Sequence, residues 1–229
     1  MDRFNAFGAS LAAFGAVFAL FSHLMVSSIP LTALGLGTLI LGLSILITPT
    51  EPIPRGAVRG LLEGSALSLE AILEMVDAPN RGYYVPHGDG RIYVHIPLAG
   101  DRGPIYPETP TGSMVAEKDG EPYIILLPPA SELVRMGDLP EDLESAISEA
   151  LTGLTELCES VEVARGEGVA LRVRGPRALI GAGRFRLVMG SLEASVAACI
   201  AAARMGRPVR IASEEDEGKT RRIILEAIP

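Results

Sequence analysis

The chain has 229 residues, 48% of them apolar, with 2 cysteines and a formal net charge of -8. That composition excludes a disordered chain, a collagen-like repeat and a small disulfide scaffold. A mean hydropathy of +0.32 is high for a chain with 21% charged residues, so the apolar excess is concentrated in one place.

That place is the N-terminus. No Asp, Glu, Lys or Arg stands between Arg3 and Glu51, and Ser27-Ser28-Ile29-Pro30 interrupts the run near its middle. Residues 4–26 make a helix of about 35 Å and residues 31–48 one of about 27 Å, against a hydrocarbon core of about 30 Å. A transmembrane helical hairpin is therefore expected over residues 1–48, with Pro30 in the tolerant first turn of the second helix. A cleaved signal peptide fits less well, because Arg3 stands beside Asp2, the apolar core is too long and no small-x-small site follows. Arg3 at one end and Arg55 and Arg59 at the other give a positive bias that puts both ends in the cytoplasm. The expected location is the cell membrane, multi-pass, with the N-terminus and the C-terminal domain cytoplasmic.

Small residues, Gly8, Ala12, Ala16 and Ala19 with Gly15 in the first helix and Gly35, Gly37 and Gly42 in the second, are expected to let helix backbones approach, within the hairpin or between subunits, with Gly8, Ala12 and Ala16 at ladder spacing. His23, near the turn, is the one ionisable side chain between Arg3 and Glu51, which argues against an ion pathway.

Residues 49–56, with Pro49, Pro52 and Pro54, read as a stiff linker. The remainder, 57–229, is expected to be a cytoplasmic α+β domain, mixed or antiparallel, rich in β-hairpins and carrying about three helices. A first helix is predicted over 57–77, with Val58, Leu61, Leu62, Leu69, Ile72, Leu73 and Val76 on one face and Gly60 and Gly64 weakening its start. Hairpins follow at 83–86 with 91–96, and at 114–117 with 123–127, the second after a Pro/Gly-rich loop over 97–112. A helix is predicted from Asp138 to Cys158, with Asp138 as N-cap, Glu141 three residues on and Pro140 in the first turn.

A third hairpin is expected at 161–163 with 169–174, then a strand over Phe185–Met189, and a helix from Ser191, its N-cap, to Arg204, ended by Gly206 and Pro208. A final hairpin joins 209–212 to 221–227 through an acidic turn at 214–218. Ser68-Leu69-Glu70-Ala71 and Ser191-Leu192-Glu193-Ala194 are identical, but similar capping chemistry explains four residues without a duplication. The bias of 18 Arg to 2 Lys, with no Gln and only Asn5 and Asn80, fits a thermophile.

No catalytic motif stands out, and no cofactor is implied. His87, Asp89 and His95 can approach across the first hairpin, yet Asp and Gly at that turn are expected for geometry alone, so no metal site is assigned. Ser113 and Ser131 lack a GxSxG elbow or a histidine partner. Cys158 and Cys199 fall in apolar stripes and read as buried thiols. Gly181-Ala182-Gly183-Arg184-Phe185-Arg186 resembles an amide-lined anion cradle but matches neither phosphate-loop pattern.

Charge is segregated along the chain: six arginines and one acid, Glu167, lie between Arg165 and Arg186, and nine acids and one Arg between 132 and 162. Arg172, Arg174, Arg177, Arg184, Arg186 and Ser191 are accordingly the candidate ligand- or partner-binding residues. Nucleic acid is not expected of an acidic domain with little aromatic interleaving. The expected function is a membrane-anchored assembly or scaffold protein whose domain binds itself or another protein, its partners being the bilayer and a homo-oligomer or second protein. The alternatives are a membrane-bound enzyme with a nonstandard active site and a small-ligand sensor.

Overall fold

A computed structural model describes residues 3–47, 55–100, 103–104, 114–135, 139–166, 168–178 and 183–228. The chain divides into two compact units, Met1–Pro54 and Arg55–Pro229.

The first unit is a helical hairpin of α1 (Arg3–Phe21), a π-helical turn (Ser22–Val26) and α2 (Ile29–Ile47). Its two apolar stretches, Ala6–Val26 and Ile29–Ile47, are 21 and 19 residues, long and apolar enough to cross a membrane. Ser27, at φ 50°, reverses the chain and its amide donates to Ser22 O. The helices meet along Gly8, Ala12, Gly15 and Ala19, a four-three-four spacing, facing Gly35 and Gly42. A Cβ on Gly35 would stand 2.6 Å from Ala19 N, and one on Gly15 or Gly42 would enter the backbone of Leu39 or Ala12. The predicted Gly8-Ala12-Ala16 ladder thus turns after Ala12: Gly15 takes the seam, Ala16 is half-buried and Gly37 is exposed with open space beside it. Large apolar side chains, among them Phe14, Leu20, Leu34 and Ile40, point outward.

The second unit is α+β, built on an eight-stranded antiparallel sheet in the order β3-β4-β2-β1-β7-β8-β6-β5. Its elements are α3 (Arg55–Met75), β1 (Tyr83–Pro86), β2 (Ile92–Pro97), β3 (Val115–Lys118), β4 (Glu121–Leu126) and α4 (Ser131–Arg135). Then come α5 (Leu143–Ser148, continued in π form over Glu149–Leu154), β5 (Ser160–Arg165), β6 (Val169–Arg174), α6 (Arg184–Met189), α7 (Leu192–Met205), β7 (Val209–Glu217) and β8 (Thr220–Ala227).

The strands of the expected hairpins are present, burial alternates along β6 but is continuous along most of β1, β2 and β4, and strand parity decides what faces the helices. Val94, Ile124, Leu171, Val209 and Ile223 lie on the helix-bearing face and join Leu73, Ile147 and the length of α7 in one core. Residues 191–202 are all buried, so α7 is apolar almost all round because it lies in the centre of a domain. The segment Arg184–Met205 is long and apolar enough for a membrane span, but 89% of its most apolar 18-residue window is buried here.

Several predicted boundaries move. The first helix begins at Arg55: Gly60 and Gly64 have open space around them, so they cost propensity without breaking contacts. Its buried stripe is Leu62, Ala66, Leu69 and Leu73, while Leu61 is exposed. Asp138 and residues 105–113, most of the long loop, lie outside the described residues, as do 48–54, where most of the proline-rich segment falls.

The next helix starts at Leu143, capped by Asp142, which accepts from Ser145 N at 2.9 Å, because Pro140 disfavours helix in the residue before it. It ends at Leu154, where Thr155 Oγ1 closes on Ala150 O at 2.6 Å and Glu156 takes φ 49°. The strand expected over 185–189 is the helix α6, whose buried Phe185, Val188 and Met189 keep a three-and-four spacing that Gly190, at φ 75°, ends. The acidic stretch 214–217 is strand, and the chain turns instead at Gly218-Lys219.

The seam makes a direct test of the hairpin. Gly35→Leu is expected to weaken helix association by ~1–3 kcal/mol through overpacking, whereas Gly37→Leu, on the open side, is expected to change nothing. SDS titration followed by FRET across the helices measures both.

Candidate functional site

A bulge in β7 organises the charges. The register shifts between Ile211 and Ser213, so Ile211 pairs with Leu225 but Glu214 pairs with Ile223 and Asp216 with Arg221. One extra residue swings Glu214 and Asp216 onto the helix-bearing face. There Glu214 Oε2 accepts the Ser191 amide at 2.9 Å at the start of α7, and Ser191 Oγ accepts Ala194 N at 3.2 Å.

Arg221 joins Glu193 at 2.8 Å and Asp216 at 2.6 Å, and Arg186 joins Glu214 at 3.0 Å and Asp216 at 2.6 Å. The side chains of Glu193 and Glu214 are 0% and 2% exposed. Arg221, opposed by burial but helped by Arg186, holds the Asp216 carboxyl below its usual range. Two guanidiniums thus balance most of three carboxylates, of which Asp216 is exposed, and Glu214 already takes the place of an external anion at this helix end.

The amide cradle expected near Gly183 is also filled from within. Glu70, on α3, accepts from Arg184 N at 2.7 Å and from Phe185 N. Residues 179–182 lie outside the described residues. Arg184 itself reaches Asp77 at 2.6 Å. Ser68, by contrast with Ser191, sits inside α3 and donates to Gly64 O, so the repeated tetrapeptide has two unlike structural roles.

The candidate residues therefore do not form one patch. Arg184, Arg186 and Ser191 serve the interior, and Arg177 lies near Glu159 at 3.9 Å. Arg172 and Arg174 stand on the other face of the sheet, which over β7, β8, β6 and β5 is open. Registered pairs lay out one row there: Glu162 opposite Arg172, Arg172 opposite Arg222, and Arg222 opposite Glu215. Arg174 bonds Glu162 diagonally at 2.7 Å. Neither Arg172 nor Arg222 makes an ion pair with a described residue within 4.0 Å.

Beside the two guanidiniums, Ala164 and Ala170 lower the surface and leave a groove of about 380 Å³ also lined by Glu217. Arg222 was missed in the sequence, although its parity with Ile224 and against Ile223 and Leu225 marks the same outward face.

Over β1, β2 and β4 that same sheet face is covered. Tyr83, Val85 and Tyr123 are buried, and Tyr123 Oη donates to Gly103 O at 3.0 Å. His87 Nε2 and His95 Nε2 lie 3.0 Å apart. Asp89, however, turns away to accept from Arg91 N at 3.0 Å and Tyr93 Oη at 3.1 Å. Among the described residues no group of three or more His, Cys, Asp or Glu is placed to hold a metal. Cys158 and Cys199 are both buried; burial, then Glu193, pushes the Cys158 thiol up to about 12, and burial raises Cys199 further. Neither is a thiolate at neutral pH. Compared with family models, curated proteins and solved structures, the chain matched none.

Two outcomes follow from these charges. Arg221→Met leaves Glu193 buried without its cation and is expected to cost ~3–5 kcal/mol in denaturant unfolding; Arg172→Met, on the open face, is expected to cost far less. Burial, opposed by Asp89, holds His87 below the usual imidazole range. The unfolded chain therefore takes up the proton first, so stability falls as pH drops through about 6.5 and levels off below the folded value. His87→Gln is expected to flatten that part of the curve, measured as Tm against pH.

Proposed function

We propose that the protein is a membrane-anchored assembly or scaffold protein. In this reading the hairpin spans the bilayer, both chain ends are cytoplasmic, and the 55–229 domain binds itself or another protein through its open sheet face. The observation that carries it is the Arg172–Arg222 pair. Like charges directly opposite on a sheet are destabilising, and here the pair sits in a groove that an acidic or hydrogen-bonding surface would complete. The outward large apolar side chains of the hairpin support the anchor, and the bias of Arg3, Arg55 and Arg59 supports its orientation.

The test places a photo-crosslinking residue at Ala170 in the full-length protein in native membranes. A higher-mass adduct is expected, and Arg172→Glu with Arg222→Glu is expected to reduce it by about tenfold. An adduct indifferent to that double reversal, or no adduct at all, removes the open face as the binding surface.

A further inference from the structure

β5 ends the sheet, so among the described residues no strand lies along one side of its backbone. The hydrogen bond from Gly166 N to Gly168 O, at 2.8 Å, sets the phase of the β5–β6 ladder. Even-numbered residues of β5 exchange hydrogen bonds with β6, and Val161, Val163 and Arg165 turn their N–H and C=O groups outward. This edge is six residues long and has no proline, whereas the opposite edge, β3, has four. Natural sheets shorten, bend or cover such edges. Val161 and Val163 also lie half-buried on the helix-bearing face, at the rim of the core.

We propose that β5 pairs antiparallel with β5 of a second copy, about a two-fold axis through Val163. The inference rests on the assembly reading above and places self-association on the edge strand beside the open face. Backbone phase lets this edge pair with its own copy, and the side chains choose the register. Centring the pair on Glu162 would set two glutamates directly opposite each other, which is unfavourable. Centring it on Ala164 would leave Val161 beyond the end of the partner strand.

Centring it on Val163 matches Val163 with its own copy and Val161 with Arg165 of the second copy. All three outward residues are then used, with two ladder hydrogen bonds for each pair. Glu162 faces Ala164 of the second copy and keeps Arg174, its cation at 2.7 Å. The half-buried valines of both copies close over the axis, and two eight-stranded sheets become one continuous sheet, an isologous arrangement.

Full-length protein in detergent, measured by light scattering, is expected to show twice the 24.1 kDa chain mass. Val163→Pro is expected to give monomer with an unchanged circular dichroism spectrum, because the amide it removes points away from β6. Val163→Cys is expected to oxidise to a covalent dimer, the two Cα atoms being about 5.5 Å apart in such a pair, while Val115→Cys on the other edge is not. Should Val163→Pro misfold, the cysteine pair decides.

A monomeric wild type whose Ala170 adduct persists overturns the strand pairing and leaves the assembly reading with a different protein. A dimer that survives Val163→Pro but not Arg172→Glu with Arg222→Glu overturns it in favour of the open face. A dimer that survives both belongs to the hairpin and also overturns it. A monomer with no adduct takes down both readings.

Discussion

The amino end of α7 is enclosed on all sides, and its first amides have no water to bind. An apolar helix in the middle of a domain gains from burial along its whole length, but each end leaves polar groups that must be satisfied locally. Ser191 meets one amide, and the amide of Ser191 itself needs an acceptor. Glu214 supplies it, which brings a charge inside and obliges the fold to bring guanidiniums after it. Arg221 comes from the next strand and Arg186 from the preceding helix, so α6, α7, β7 and β8 are fastened at one point. The bulge at Ala212 makes this possible: strict alternation after Ile211 would send Glu214 to the opposite face.

This explains which parts were readable in the sequence. The strands of the four hairpins were legible because alternation and turn residues are local: Tyr83 to Ile96 and Val161 to Arg174 carry their pairing in their own spacing. The N-cap at Ser191 and the stop at Gly206 were legible for the same reason. The hairpin of small residues was visible in outline, but which of Ala16, Gly15 and Gly37 meets the other helix depends on rotation about the helix axis, and only packing fixes that.

The errors have a common source. Phe185 to Met189 is a short, mostly apolar run that reads as a strand, yet Glu70, more than a hundred residues earlier, holds the amides that start a helix there. The acidic run 214–217 looks like a solvated turn because nothing nearby in sequence says that Glu193 and Arg186 wait on the other side. The six arginines between 165 and 186 read as one basic patch for the same reason. In the fold, parity and helix phase distribute them among an interior network, a contact with α3 and an outer sheet face. Charge spacing along a chain does not give charge spacing in space when a bulge and two internal carboxylate caps intervene.

The open face has a different logic from the interior. Inside, Arg186 and Arg221 each have a carboxylate at hydrogen-bonding distance, because an uncompensated buried charge is costly. Outside, solvent lessens but does not remove the repulsion between Arg172 and Arg222, which the register sets directly opposite each other. Glu162, which the register places opposite Arg172, is instead held by Arg174 from the adjoining row. Its engagement leaves Arg172 without the counter-ion that cross-strand pairing would have supplied. Glu162 thus links the groove to the β5 edge: the bond that frees Arg172 also neutralises the one acidic side chain on the edge strand. A strand edge whose one carboxylate is already paired, next to a groove whose two guanidiniums have no ion pair with a described residue, presents two unlike surfaces on adjoining strands.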